Sequence, residues 1–592
     1  MNLKMKINKN INKKLFHYLY MVSVVLIFLY PFRHVAMGVD LMDGGYNYAN
    51  FRYNGLEYMD SMWFFATWMA NGVGHLFTLL PFGDTLLGMN AYATLIVSTI
   101  GVCGYVFSVK MFKIPVWIAF VGEWIALSLC WAPVSVLYNY LTYGFLLAGV
   151  LCLYRGLTAS KGHLLVLAGI FLGLNVGNRF SNLPQAGLIL AVWYFGIINK
   201  KKFTLVLKDT ALCILGYVTA LAVFLGFISI RYGFGNYVEA IVNLFGMTEQ
   251  ATDYTPLSML SGMIGGYLDD VSRYWIKRFG LVLAAALALC LVLARKNIKL
   301  ARILTAVSML AGMYWLVTEK FLYGDYATYN SIYDQCIMVF IMMMLLAVWQ
   351  MCSRKYSQEE KLQAFLVILL ILFTSLGSNN AIYSSINNLF LVLPCAFGML
   401  YRLIRREKST LAVPFQGILL VGCLFLVWQG AFFGKTYVYE EATGGRNFDA
   451  KITEIPVLKG ISTNQQKAGQ LEELYGYLQE SGLHERECIL YGNIPGVAYF
   501  LDLTPAMNVW SDLRSYPKER METDLAKLDL ADEASRPIII LEEKAFAYLQ
   551  QGGITEESWE ETAAEKLQFL GEQMAENGYR QEFFNGKYAV YY

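Results

Sequence analysis

The sequence predicts a mainly α-helical protein: a polytopic membrane helical bundle of about 13 spans, followed by a C-terminal extracytoplasmic α/β domain. Hydrophobic residues make up 56% of the 592 residues, and charged residues make up only 16%. The mean hydropathy is +0.43, a value that soluble domains of this size do not reach. The formal net charge of +2, without a basic stripe, argues against a nucleic-acid partner.

The predicted spans are apolar runs of the length that crosses a bilayer, about 20 residues for a helix. Because backbone polar groups must be hydrogen-bonded inside lipid, we expect each run to be helical. The runs are 16–37, 85–108, 115–132, 137–154, 163–176, 185–198, 209–230, 279–294, 302–318, 334–352, 361–376, 388–402 and 411–433.

Basic residues alternate between the predicted loops, as the positive-inside rule requires. Lysines from Lys4 to Lys14 precede the first span, so we expect a cytoplasmic amino terminus in a bacterial-type plasma membrane. No small-x-small cleavage site follows the first apolar run, which we therefore interpret as a retained helix. An odd number of spans then places both the loop at 38–84 and the C-terminal region outside the cytoplasm.

The composition becomes polar after Phe433, which predicts two domains, a membrane domain at 1–435 and a soluble domain at 436–592. Three short apolar stretches of the soluble domain, "ECILYGN", "RPIIILE" and "QEFFNGKYAVYY", are typical of strands. They alternate with helical patterns at 464–482, 519–528 and 560–577. This order predicts an α/β fold.

Neither a disulfide framework nor a protein-ligated metal site is predicted. Most of the ten cysteines lie inside apolar runs, where they act as small hydrophobic residues. The five histidines are scattered without ligand spacing.

Carboxylates gather directly behind the first span, in "GVDLMDGGYNYANFRYNGLEYMD" at 38–60. Asp40 and Asp43 lie three residues apart, and glycines and tyrosines surround them. A carboxylate placed directly behind a membrane span costs little free energy if it faces water and much if it faces lipid. We therefore predict that both acids face a water-filled cavity, whereas Glu57 and Asp60 are interpreted as solvated surface residues.

The stretch "DGGYNYAN", Asp43 to Asn50, resembles the GT-C superfamily of membrane glycosyltransferases, in which many members carry an Asp-Glu pair followed by a tyrosine. The resemblance extends to the cytoplasmic amino terminus, the acidic loop after the first helix, about a dozen spans and an outer soluble domain. Gly44 stands where the second acid often lies, which weakens metal binding. No cofactor is certain, although a divalent metal is possible.

The resemblance implies a hexosyl- or pentosyl-transferase that takes sugar from a polyprenyl-phosphate-linked donor. The acceptor is a glycan, lipid or protein, and membrane lipids surround the enzyme. Asp43 or Asp40 is the expected catalytic base, since an acceptor hydroxyl must lose a proton. Single displacement without a second carboxylate nucleophile predicts inversion of the anomeric centre.

A phosphate leaving group requires a cation, and two places in the sequence offer one. Arg179 lies in a predicted outer loop, where the positive-inside rule disfavours a basic residue. Its planar guanidinium can donate two parallel hydrogen bonds to a phosphate. The pair Lys277/Arg278 is the second candidate, with lipid-headgroup contact as the alternative. Asn379 and Asn380 are candidates for sugar hydroxyls, with a polar turn as the alternative.

Tyr46 and Tyr48 are candidates for stacking on a sugar face, and an interfacial aromatic belt explains them nearly as well. The alternative to an enzyme is a transporter or flippase of a lipid-linked or small polar substrate. That function needs charged residues within several spans, and Glu123 is the main one. A third possibility is an assembly factor whose soluble domain performs the function.

Overall fold

The computed structural model describes residues 2–246, 297–318, 332–377, 382–410, 412–440, 447–550 and 561–592, with scattered positions between 265 and 292. Side chains are described from residue 14 onward. The predicted span at 279–294, together with Lys277, Arg278, Asn379 and Asn380, lies wholly or mostly outside the described residues.

The described part of the first 440 residues is helical, as predicted. We label its helices α1 to α16 in chain order. Their bounds are α1 Asn2–Leu29, α2 Asp43–Arg52, α3 Ser61–Ala66, α4 Trp68–Thr78, α5 Leu86–Lys110, α6 Val116–Ser128, α7 Leu137–Thr158, α8 Gly162–Asn178, α9 Leu190–Ile198, α10 Phe203–Tyr232, α11 Phe234–Gly246, α12 Ile298–Thr318, α13 Tyr333–Cys352, α14 Gln358–Ser375, α15 Val392–Arg406 and α16 Ala412–Thr436.

Seven helical segments of the described chain are long and apolar enough to cross a membrane. They are 14–34, 86–110, 137–158, 180–198, 203–232, 335–352 and 412–436. Two of the predicted spans are shorter apolar helices, α6 and α8. The prediction of a mainly α-helical, polytopic membrane bundle is confirmed, and seven is the number of segments that meet the length criterion in the described residues.

The loop at 38–84, here called the first loop, folds into the short helices α2, α3 and α4. Asp60 caps α3, because its Oδ1 accepts hydrogen bonds from the backbone N–H groups of Met62 at 2.6 Å and Trp63 at 3.3 Å. The interpretation of Asp60 as a solvated residue is wrong, since the residue is 5% exposed. Glu57 is exposed, as predicted.

The C-terminal region contains the predicted α/β arrangement. Its helices are α17 Gln465–Glu480, α18 Gly496–Phe500, α19 Lys518–Leu525, α20 Glu543–Gln550 and α21 Glu561–Glu576. Its strands are β1 Ala450–Lys451, β2 Ser462–Thr463, β3 Cys488–Tyr491, β4 Ile538–Glu542, β5 Gln581–Phe584 and β6 Tyr588–Tyr591. All three predicted strand stretches are strands, and the last one forms the hairpin β5–β6.

The larger sheet has the order β3-β4-β6-β5. Strands β3 and β4 are parallel, and β6 is antiparallel to both of its neighbours. Strands β3, β4 and β6 are buried along their whole length. Continuous apolar runs, such as Ile538–Leu541, are expected for strands that are covered on both faces.

The C-terminal region is joined to the first loop by backbone and side-chain bonds. Gly38 N–H donates to the carbonyl of Ser462 at 2.9 Å, and Ser462 N–H donates to the carbonyl of Ala36 at 2.9 Å. The chain directly behind the first membrane helix therefore pairs with β2. Further along, α2 packs against α18, and Arg52 at the end of α2 forms an ion pair with Asp502.

A buried ion pair completes this junction. Lys467 Nζ lies 2.9 Å from Glu440 Oε1, and both side chains are 2% exposed. The same ammonium donates to the carbonyl of Val39 at 2.9 Å, and the hydroxyl of Thr463 donates to Glu440. Because a buried charge is costly without such partners, the pair orients α17 relative to the first loop.

We expect Lys467→Met to lower the free energy of unfolding by about 3–5 kcal/mol, because it leaves the carboxylate of Glu440 buried without its cation. A urea titration of the full chain in detergent measures this. The double variant Lys467→Met/Glu440→Gln should cost less than Lys467→Met alone. The control is Lys518→Met, which removes an ion pair with a distance of 3.9 Å between two side chains that are 40% and 45% exposed. It should change the free energy of unfolding by under about 1 kcal/mol. Equal losses in Lys467→Met and Lys518→Met would contradict the assignment.

Candidate functional site

Asp40 is bound to the first turn of α2. Its Oδ2 accepts a hydrogen bond from Gly44 N–H at 2.6 Å, and its Oδ1 accepts one from Met42 N–H at 3.2 Å. A carboxylate at a helix N-terminus satisfies otherwise unpaired donors and interacts favourably with the helix dipole. Burial, and then the neighbouring charge of Asp43, nevertheless raises the pKa of Asp40 to about 7.

Gly44, where GT-C members often carry a second acid, has no room for a side chain. A Cβ at this position would lie 2.8 Å from Asp40 Oδ2 and 3.1 Å from the Cβ of Ser135. Asp40 thus supplies a carboxylate in the place that a larger residue at position 44 would occupy. Asp40 and Asp43 therefore remain the two candidate acids, three residues apart in the sequence.

Asp43, the first residue of α2, is exposed to water, yet surrounding protein is close enough that burial raises the pKa of its carboxyl group. A carboxylate on a convex surface would be exposed to water, but no surrounding protein would raise its pKa. We infer that the carboxylate lies in a partly enclosed position that water reaches, here called the recess. The hydroxyl of Tyr439 donates a hydrogen bond to this carboxylate.

Arg179 lies over the ring of Tyr138. Its guanidinium is 5.1 Å from the centre of the Tyr138 ring, and its Nη1 donates to Asn139 Oδ1 at 3.1 Å. Tyr138 interacts electrostatically with both Arg179 and Asp43. In the described part of the chain, no carboxylate forms an ion pair with Arg179, so its fork is available to an anion.

A buried amide network supports the turn that carries Arg179. Asn182 Nδ2 donates to Thr142 Oγ1 at 2.8 Å, and Asn175 Nδ2 donates to Gln185 Oε1 at 2.7 Å. Asn178 also donates to Thr142 Oγ1, at 2.9 Å. These bonds join the end of α8 to α7, so the asparagines that flank Arg179 in sequence position it.

Tyr46 and Tyr48 are covered by the C-terminal region. The Tyr46 ring meets Trp510 edge-on at 5.2 Å, and the Tyr48 ring stacks on Tyr499 at 5.4 Å. The Tyr48 hydroxyl donates to Asn90. These contacts give both tyrosines a packing function at the junction, and their contact with a sugar stays a prediction.

Glu123, the acid that favoured a transporter, is fully buried within the bundle. Its Oε2 accepts a hydrogen bond from the backbone N–H of Leu391 at 3.3 Å, just before α15. A Cβ at Gly104 would lie 2.7 Å from its Oε1. The carboxylate thus joins α5, α6 and the start of α15.

Three side chains near Asp40 and Asp43 were missed by the sequence analysis. Tyr439 follows the last membrane helix and stacks on Trp131 at 4.7 Å. Tyr138 lies in the first turn of α7, and Lys467 interacts electrostatically with Asp40. Of these three residues, only Tyr439 lies in a stretch that could have indicated a site, the tyrosine and acid cluster "YVYEE" at 437–441 behind the last span. That cluster also resembles an ordinary interfacial aromatic belt.

The site offers few side-chain ligands for a divalent metal. It contains two carboxylates, and both oxygens of Asp40 already accept backbone hydrogen bonds. Among the described residues, no group of three or more His, Cys, Asp or Glu side chains is placed to hold a metal ion.

No known family model matches the sequence, and no curated protein matches it. Solved structures do show similarity. The apo oligosaccharyltransferase of Archaeoglobus fulgidus is 12% identical with a TM-score of 0.45, and the alignment covers 90% of this chain and 71% of that chain. ArnT from Cupriavidus metallidurans, bound to undecaprenyl phosphate, is 11% identical with a TM-score of 0.40 and 97% of each chain covered.

The archaeal oligosaccharyltransferase AglB, in complex with an inhibitory peptide and a dolichol-phosphate, is likewise 11% identical, with a TM-score of 0.45. That alignment covers 90% of this chain and 70% of that chain. At 11–12% identity and TM-scores of 0.40–0.45, these likenesses concern the fold alone. The geometry around Asp43, not this likeness, carries the functional proposal.

We expect Asp40→Asn to change the pH dependence of stability. The pKa of Asp40 is raised from 3.8 to about 7 in the folded protein, so its contribution to stability is full below about pH 4 and is lost as the pH rises through about 7. The asparagine of the variant does not titrate, so the variant does not lose this contribution. The free energy of unfolding of the variant, relative to that of wild type, should therefore rise as the pH increases from about 4 to about 7. Urea titrations at several pH values measure the difference. A difference independent of pH, or the same slope in the control Asp84→Asn, an exposed acid of the first loop, would contradict this origin.

Proposed function

We propose that this protein is a membrane glycosyltransferase that moves a sugar from a polyprenyl-phosphate-linked donor to an acceptor hydroxyl. The supporting observation is that Tyr138 interacts electrostatically with both Asp43, a water-exposed carboxylate with a raised pKa, and Arg179. A carboxylate and a guanidinium that has no ion-pair partner among the described residues, both near one aromatic ring, provide for proton removal and for anion binding. The sequence resemblance supplies the reaction class.

Asp43 is the proposed base, and Asp40 positions it. Asp40 is bound by two backbone donors, whereas Asp43 is exposed in the recess and has a raised pKa, which makes its carboxylate a stronger proton acceptor. Asp43 removes the proton from the acceptor hydroxyl. The oxygen forms a bond to the anomeric carbon as the bond to the phosphate oxygen breaks.

The leaving polyprenyl phosphate keeps the electron pair of the broken bond, and Arg179 binds the phosphate oxygens. Arginine presents two parallel N–H donors to such a group. One displacement on the face opposite the phosphate inverts the anomeric centre. We propose an extracytoplasmic location for this recess, since the charge alternation places the first loop and the C-terminal region there.

Asp43→Asn should lower the rate of sugar transfer by about 10²–10⁴-fold, because the amide cannot accept the proton. The measurement is turnover of purified protein in detergent with a panel of polyprenyl-phosphate-linked pentoses and hexoses. Asp84→Asn, which removes an exposed carboxylate of the same loop, should transfer sugar at the wild-type rate. Wild-type turnover by a correctly folded Asp43→Asn variant would reject Asp43 as the base.

Arg179→Lys and Arg179→Gln should both lose about 10–100-fold in kcat/KM for the donor, because neither side chain offers the planar fork. Arg231→Gln is the matched control. Arg231 lies in the last turn of α10, 5.5 Å from the Tyr232 ring centre, and is exposed, so its loss should leave kcat/KM unchanged. Equal losses at both positions would indicate a general effect of lipid-facing charge, and would overturn the phosphate assignment.

A further inference from the structure

A cavity lies at the end of the helical bundle that is opposite to the candidate site. Helix α5 is long enough to cross a membrane, and it runs from Leu86, just after the first loop, to Lys110. The cavity begins where α5 ends. It is lined by the turn between α5 and α6, the first turns of α14 and the last turns of α15. Its volume is about 540 Å³, within the usual size of a small-molecule site, and we call it the basic cavity.

Positive charge dominates the lining of the basic cavity. The lining has four basic and two acidic residues: Lys113, Arg402, Arg405, Arg406, Glu359 and Glu360. Glu360 is already paired, because its two carboxylate oxygens accept hydrogen bonds from Arg406 Nη1 at 2.8 Å and Arg406 Nη2 at 2.9 Å. This bidentate pair leaves three cations and one carboxylate in the lining. The basic cavity therefore favours an anionic ligand.

Arg402 is oriented by neighbouring side chains. Its side chain is 11% exposed, and its Nε lies 3.7 Å from Glu360 Oε1. Its Nη2 donates to Gln363 Oε1 at 3.2 Å, and Gln363 in turn donates to the hydroxyl of Tyr154 at 3.2 Å. Among the described residues the Nη1 of Arg402 has no acceptor, and unlike its Nε it is not sealed off from water. A fixed guanidinium with a free donor can bind a phosphate oxygen.

Lys113 and Arg405 contribute two further cations, both on exposed residues. The Nη1 of Arg405 donates to the hydroxyl of Tyr401 at 2.5 Å, and its guanidinium lies 5.2 Å from the centre of that ring. Neither Lys113 nor Arg405 forms an ion pair with a carboxylate of the described chain. Both charges are therefore available to a ligand.

The surroundings of the basic cavity indicate that the anion belongs to a lipid. Because α5 crosses the bilayer and ends here, the cavity lies at the depth of the lipid headgroups. Trp117 on α6 is exposed and meets the ring of Tyr401 edge-on at 6.4 Å. Ile404, one residue before Arg405, is exposed as well. Apolar side chains beside the cations suit a ligand whose phosphate enters the cavity while its acyl chains remain outside.

We propose that the basic cavity binds the headgroup of an anionic phospholipid of the surrounding membrane. Arg402, Arg405 and Lys113 contact its phosphodiester. Basic pockets between membrane helices are suited to such headgroups, because each cation near the membrane surface attracts an anionic lipid by about 1 kcal/mol. The binding does not depend on the proposed function, since it requires only the membrane and this end of the bundle.

The test is native mass spectrometry of the full chain in detergent, titrated with phosphatidylglycerol or phosphatidylcholine that carry the same oleoyl chains. Wild-type protein should bind phosphatidylglycerol at least about tenfold more tightly, because the cavity repels the choline cation. The variant Lys113→Gln/Arg405→Gln, which changes two exposed residues, should lose this preference. The variant Lys113→Arg/Arg405→Lys, which keeps both charges, should retain it.

Arg155→Gln/Lys161→Gln is the matched control. Both residues are exposed and lie outside the basic cavity, on the membrane face to which α7 crosses from Tyr138. This variant should keep the wild-type preference. An equal loss in the two glutamine variants would indicate a general attraction of this membrane face and would overturn the proposal, as would equal binding of both lipids by wild type. Glycerol 1-phosphate, the headgroup fragment without acyl chains, should not displace the lipid at equal concentration. Displacement would overturn the assignment to a lipid and would indicate a soluble phosphate ligand.

Discussion

The ammonium of Lys467 holds together the two chain segments that build the candidate site. It donates to the carbonyl of Val39, the residue before Asp40, and it pairs with Glu440, the residue after Tyr439. One ammonium group therefore binds both the residue next to Asp40 and the residue next to Tyr439. Because the pair is buried, its geometry is insulated from the screening that weakens surface charges.

Close backbone contact extends this junction into α2. Gly496 N–H donates to the carbonyl of Leu41 at 2.9 Å, and a Cβ at Gly45 would lie 2.9 Å from the nitrogen of Gly496. Two glycines thus allow a helix of the first loop and a helix of the C-terminal region to meet without side chains between them. The C-terminal region forms one side of the structure that positions Asp43.

The recess gives Asp43 properties that neither bulk water nor a dry core would provide. Water reaches the carboxylate, so it can remain ionised, while surrounding protein makes it more basic than an ordinary aspartate. Arg179 and Asp43 both interact electrostatically with Tyr138. The two groups form no ion pair with each other in the described part of the chain, so neither charge neutralises the other.

The sequence by itself determined the membrane class, the helices and the strands of the C-terminal region, and it singled out Asp40, Asp43 and Arg179 as candidate site residues. These follow from local properties of the sequence: the length of apolar runs, the alternation of strand and helix patterns, and charged residues at positions where contact with lipid would be costly. Tertiary structure alone decided that Tyr138, Tyr439 and Lys467 surround the acids, since they lie about 100 to 400 residues away in the chain. It also decided that Tyr46, Tyr48 and Asp60 are buried, because what covers them is a region more than 400 residues further on, and local composition carries no information about such a contact.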